Sequence, residues 1–144
     1  ENLTYYGRGP FENYIDRYSG AFIGRYEDKV ENQFYWYIRP QETGNKTDVR
    51  WLTLLDSGGL GVKITGLQPI SFSALHFSPE DLDPGLTRKL QHTIDIVPQK
   101  NIFLHVDLKQ RGLGGDNSWG MYPHNEYRLL DKKYTYSYMI ELID

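Results

Sequence analysis

Four glycines and an indole share the nine residues Gly112-Leu113-Gly114-Gly115-Asp116-Asn117-Ser118-Trp119-Gly120. Glycine permits backbone angles that other residues avoid. An indole at the tip of such a loop offers a flat apolar platform with one N–H donor, suited to the apolar face of a sugar ring. The same Trp could instead plug the end of a β-fold, since large aromatics are mostly buried. Other chemistries fit less well. A nucleophile elbow needs Gly two residues before the Ser, and Asp116 stands there before Ser118. The run lacks the later glycine of the dinucleotide fingerprint and the Gly-Lys-Ser/Thr of a phosphate loop. A two-carboxylate hydrolase holds acid and nucleophile at a fixed separation across a sugar-sized cleft. The clustered acids Glu80-Asp81-Leu82-Asp83 read instead as a solvated helix start. His76, His92, His105 and His124 show no metal spacing such as H-E-x-x-H. His105 and Asp107 share a strand face, where two outward polar residues are the simpler reading than a metal pair. The residues alone give no catalytic set and no metal site.

The elements that must carry this loop are strands. Period-two alternation marks Val49 to Leu55, Leu60 to Ile64, Ile70 to Ala74, Ile102 to Leu108 and Lys133 to Asp144, with a further stripe Phe34, Trp36, Ile38. The Val49 to Leu55 run is apolar on both faces and is expected to lie centrally. Turn signals separate the runs at Gly44-Asn45, Asp56 to Gly59 (a tight hairpin), Gly66 to Pro69 and Gly112 to Asn117. Only Ser78 to Leu82 reads as helix, with Ser78 as cap, Pro79 first inside and Pro84-Gly85 as the stop. Many short strands with sparse helix predict an all-β antiparallel two-sheet sandwich or barrel over residues 1–144, without a linker or repeat.

Composition agrees and excludes other classes. Twelve Tyr, six Phe and three Trp make the chain 15% aromatic, and 14 Gly and 7 Pro punctuate it, the pattern of pleated surfaces joined by turns. A net charge of −3 argues against a nucleic-acid surface. No apolar run approaches the ~18 residues of a membrane helix. Without cysteine there is no disulfide and no thiol chemistry. N-x-T sequons at Asn2 and Asn45 matter only in a eukaryotic secretory pathway. The first residue is Glu, so a piece of a longer chain is expected.

Four motifs make the sequence familiar. Tyr5-Tyr6-Gly7-Arg8-Gly9-Pro10-Phe11-Glu12-Asn13-Tyr14-Ile15-Asp16-Arg17 resembles the first signature of the C-terminal small-chain domain of glycoside hydrolase family 2 β-galactosidases. Residues 38–51, containing Pro40-Gln41-Glu42-Thr43-Gly44-Asn45, resemble the second, with Thr43 where the family commonly has Asn. Residues 72–82 resemble the third, and the Gly112 to Gly120 loop the fourth.

This resemblance implies a parent that hydrolyses terminal β-galactosides such as lactose with retention of configuration. The catalytic glutamates and the magnesium and sodium sites would belong to its central barrel, so no catalytic residue, cofactor or metal is expected here. The domain would be the C-terminal portion of a galactose mutarotase-like supersandwich. In such enzymes the Trp matching Trp119 stacks on substrate, with Asp116, Asn117 and Ser118 shaping its loop through local hydrogen bonds. Arg8, Glu12, Asn13, Asp16 and Arg17, and likewise Glu42, Asn45, Asp48 and Arg50, would fix the signature loops through Arg–carboxylate pairs. Expected partners are the rest of the parent chain, a galactoside and further copies in a homo-oligomer, with neither nucleic acid nor membrane. The compartment stays open between bacterial cytoplasm and periplasm. Two rivals remain: a free-standing carbohydrate-binding module, and a mutarotase-like epimerase, whose acid and base would come from His76, His105 and Glu42. If part of a sandwich is missing, exposed edges or an apolar face should drive pairing, or charges should blunt the edges.

Overall fold

The computed structural model describes residues 1–83, 85 and 91–144; Pro84, half of the expected helix stop, lies outside them. Among the described residues six strands form one antiparallel sheet: β1 (Asn2–Gly9), β2 (Phe22–Lys29), β3 (Lys46–Leu55), β4 (Gly61–Leu75), β5 (Phe103–Asp107) and β6 (Tyr138–Ile143). The order is β2-β1-β3-β4-β5, and β6 also pairs with β4. β6 takes Gly61 to Gly66 of β4 and β5 takes Ser71 to Leu75. Both pair on the edge of β4 away from β3, one beyond the other along that long strand.

β3 is central, between β1 and β4, as its two apolar faces predict. The β3–β4 hairpin closes at Asp56, whose Oδ1 accepts from the backbone N–H of Gly58 at 2.8 Å and Leu60 at 3.0 Å. Such an Asx turn explains why Asp opens the Asp56 to Gly59 cluster. The one α-helix among the described residues, α1 (Pro79–Leu82), is capped by Ser78, whose hydroxyl accepts from Asp81 N–H while Asp81 accepts from Ser78 N–H, a reciprocal capping box.

Three sequence expectations are corrected. Gly66 to Pro69 is not a turn between strands but a bulge inside β4. Pairing with β3 jumps there, from Trp51 opposite Thr65 to Val49 opposite Ile70. Pro69 has no N–H to give a ladder, and a register break is where a strand accommodates it. The stripe Phe34, Trp36, Ile38 is not a strand. Phe34 is buried, but Trp36 is 63% and Ile38 82% exposed. The segment is a loop over β1's exit, and its tyrosine hydroxyls turn inward. Finally, the last strand begins at Tyr138, not Lys133, so Tyr134 and Tyr136 precede it. β1 and β2 had no clear alternation. In β1 two of the four buried positions are Gly7 and Gly9, which are silent in an apolar pattern.

The main core gathers Leu3 and Tyr5 of β1, Val49 and Leu52 of β3, and Ile64, Ile70, Phe72 and Ala74 of β4, with Leu104 and Val106 of β5 packed against it. Tyr5 meets Phe72 edge to face at 5.3 Å between centroids. Burying each such side chain contributes roughly 1.5–3 kcal/mol. A second cluster of Phe34, Leu75, Phe77, Leu82 and Ile96 anchors the loops beyond β4. The two free edges differ. β2 exposes Phe22 and Ile23 at one end but Arg25, Glu27, Asp28 and Lys29 along the rest, whereas β6 exposes the apolar run Tyr138, Met139, Ile140 and Leu142.

Candidate functional site

The polar residues of the first two signatures meet in one buried network. Glu12, 4% exposed, accepts four hydrogen bonds. Arg17 Nη2 donates to Oε1 at 2.5 Å, beside the Tyr37 hydroxyl. Thr43 Oγ1 (2.9 Å) and Gly44 N–H (2.8 Å) donate to Oε2. Burial alone would raise the Glu12 carboxyl, but these bonds from Tyr37, Gly44, Thr43 and Arg17 hold it below the usual carboxylate range. Gly44 is needed for that contact. It has φ +78°, and a Cβ would meet the Gln33 carbonyl oxygen at 2.6 Å.

Asn13, fully buried, works as a splice. Its amide donates to the carbonyls of Arg8 (3.1 Å) and Phe11 (3.0 Å), and its Oδ1 accepts from Thr47 N–H (3.0 Å) and Thr47 Oγ1 (2.5 Å). Asn45 returns the contact, donating its amide to the Asn13 carbonyl at 2.8 Å. Asn45 is wholly buried, so its sequon has no exposed acceptor in this fold. Arg8 Nε donates to Asp48 Oδ2 at 2.6 Å, Asp48 takes φ +53°, and the Arg50 guanidinium donates to the Asp48 carbonyl. Glu42 Oε2 accepts from the Tyr14 hydroxyl at 2.5 Å. Burial around that end raises the Glu42 carboxyl despite this bond, and the charge on Glu12 adds to the rise.

Lys46 was not foreseen. It is buried at 1% exposure, and its ammonium donates to Gln33 Oε1 and the Gly44 carbonyl, both at 3.0 Å. Burial pushes it down to about 8, with Glu12 and Asp28 pulling the other way. Tyr35 and Tyr37 were also missed. The Tyr35 hydroxyl accepts from Glu12 N–H at 3.0 Å. The available signal was the Tyr35-Trp36-Tyr37 alternation: the two hydroxyls serve the network, while Trp36, 63% exposed, lies on the other side against Phe34.

The glycine loop is the opposite case. Trp119 is 91% exposed. Trp119 N–H donates to Asn117 Oδ1 at 2.8 Å, a local Asx turn, and Gly120 has φ +101°. Asp116 Oδ1 lies 2.8 Å from His124 Nε2, and this contact raises the His124 imidazole above its ordinary value. Ser118 is exposed. The loop base is fixed: Gly112 N–H donates to the Tyr127 carbonyl at 2.7 Å, and Gly114 N–H to Asp16 Oδ2 at 2.7 Å. A cleft of about 580 Å³ opens beside the tip, lined by residues including Asp116, Tyr122, His124, Asn125 and Arg128.

Thus all four signatures lie within one connected assembly, the third through Phe72 on Tyr5 and Leu75 beside Gly44. A family model described as "Beta galactosidase small chain" matches residues 1–140. The chain belongs to the β-galactosidase small-chain family. Among similar proteins, a "Beta-galactosidase" of Priestia megaterium is 39% identical over 142 residues, 98% of this chain and 13% of the relative. One of Streptococcus thermophilus is 38% identical over 142 residues, 97% of this chain and 13% of the relative. One of Lactobacillus delbrueckii subsp. bulgaricus is 37% identical over 129 residues, 89% and 12%. The chain spans about an eighth of the length of these relatives.

Within this small-chain fold the epimerase candidates occupy separate contacts. His76 Nδ1 faces the Asn101 carbonyl at 3.2 Å, His105 stands opposite Ser73 in the β4–β5 ladder, and Glu42 holds Tyr14. Among the described residues no group of three or more His, Asp or Glu is placed to hold a metal ion. No described helix is long and apolar enough to cross a membrane.

Proposed function

We propose that this chain is the small-chain portion of a retaining β-galactosidase that cleaves terminal β-galactosides, and that it lends Trp119 to the substrate site as an aromatic wall. The observation that carries the reading is the 91% exposed indole on a loop whose base is bonded to the sheet-borne network. An aromatic held in water at a fixed position forgoes burial, and a ring of sugar C–H groups is a fitting occupant. Bond cleavage, with its paired glutamates and its magnesium and sodium, belongs to the parent's barrel, and the fragment alone is inactive. The exposed apolar strip of β6 is the side on which the remaining strands of a two-sheet sandwich pack, or a second copy in a homo-oligomer. The dispersal of His76, His105 and Glu42 speaks against an epimerase.

In the intact enzyme Trp119→Ala should raise KM about three- to tenfold, the worth of one aromatic contact, and change kcat by less than about twofold. An unchanged KM would remove the platform role. Turnover of a chromogenic galactoside by the purified 144-residue chain would refute the assignment of catalysis to the barrel.

A further inference from the structure

We infer that Asp16 is a positioning residue for the Trp119 loop; this rests on the reading of Trp119 as a sugar platform. Asp16 is the second residue of a two-residue turn. Arg17 N–H donates to the Tyr14 carbonyl at 2.8 Å, and Tyr14 N–H to the Arg17 carbonyl at 3.3 Å. Both flanks are tied down, Tyr14 by Glu42 and Arg17 by Glu12, each at 2.5 Å. The turn therefore presents the Asp16 carboxylate from a rigid base. Its Oδ2 accepts from Gly114 N–H at 2.7 Å across 98 residues of sequence. The fit around it is close. A Cβ on Gly112 would lie 2.7 Å from the Asp16 carboxyl and 2.8 Å from Tyr127 Cβ, so the loop stem can approach only as glycine.

The other carboxylate oxygen, Oδ1, is enclosed and has no hydrogen-bond partner among the described residues. A charged acceptor that grips one distant backbone N–H from a rigid turn suits holding a loop, because charge-assisted bonds are the firm ones. Beyond Gly114 the tip has local bonds, Asn117 to Trp119 and Asp116 to His124. Its direction is thus inherited from the stem. Asp16 carries the rigidity of the first two signatures to the fourth, and without it the indole keeps its exposure but loses its fixed place.

The test uses the intact enzyme with Asp16→Ala, Asp16→Asn, Trp119→Ala and the Asp16→Ala/Trp119→Ala double variant. It reads galactoside kinetics and hydrogen exchange of peptides by mass spectrometry. Asp16→Ala should raise KM about three- to tenfold with kcat within about twofold, and the double variant should be no worse than Trp119→Ala alone. Exchange should quicken in residues 112–120 and stay unchanged in β1 to β4. Asp16→Asn, which keeps an acceptor for Gly114, should restore KM to within about twofold of wild type. Unchanged exchange in 112–120, additive KM effects in the double variant, or exchange raised throughout the sheet would each overturn the proposal. If Trp119→Ala itself leaves KM unchanged, the platform reading fails, and loop exchange alone then decides whether Asp16 holds the loop.

Discussion

Glu12 and Trp119 stand at opposite extremes of one chain. Glu12 is sealed, accepts four hydrogen bonds and has its carboxyl lowered by them. Trp119 is a large apolar ring left in water, held by a single local bond at its own N–H. One region spends its polarity inward, on making loops rigid. The other leaves its apolar surface unspent. Conspicuous sequence motifs produced both, so a motif's distinctness does not say whether it supports the fold or meets a ligand. Exposure separates the two.

The comparison breaks if substitutions in the two regions behave alike. The largest effect is expected at Glu12. Glu12→Ala leaves Thr43, Gly44, Tyr37 and Arg17 without their shared acceptor, and denaturant unfolding should show a loss of about 3 kcal/mol. An effect below 1 kcal/mol would mean the network is ornamental. Next comes Lys46. Its folded value, about 8, lies below the usual lysine value of 10.5, so between these limits the unfolded chain binds more protons. Stability therefore rises with pH across that window, and below pH 8 the full cost of the buried charge is present. Over pH 8 to 9, where tyrosines with their ordinary value near 10 are still largely protonated, the gain should be about 1 kcal/mol. Lys46→Met should flatten it. A wild-type profile flat over that range would show that the ammonium is not desolvated as its burial implies. The smallest effect belongs to the exposed indole. Trp119→Ala should alter unfolding stability by less than about 0.5 kcal/mol, sharpening the contrast with Glu12 because its cost falls on KM instead.

Much of the sheet was legible because strand periodicity is local. Val49 to Leu55 announced a central strand, Asp56 to Gly59 a hairpin, and Ser78-Pro79 a helix start, each from neighbouring residues. What escaped depended on distant partners. Tyr35 and Tyr37 look like strand residues until Glu12 is seen beneath them. Lys46 reads as a surface cation until Gln33 and Gly44 close over it. Gly66 to Pro69 carries every local mark of a turn, yet β3 on one side and β6 and β5 on the other keep β4 continuous. The indole loop was legible as a candidate from its glycines, whereas its exposure and its tie to Asp16 required the fold.

The account turns on where the indole lies when sugar is bound. A structure of the intact enzyme with a galactoside inhibitor measures this directly. The Trp119 ring should lie within about 4 Å of sugar carbons, van der Waals contact. A ring more than about 10 Å from the ligand, or packed against protein with no sugar near it, would contradict the account.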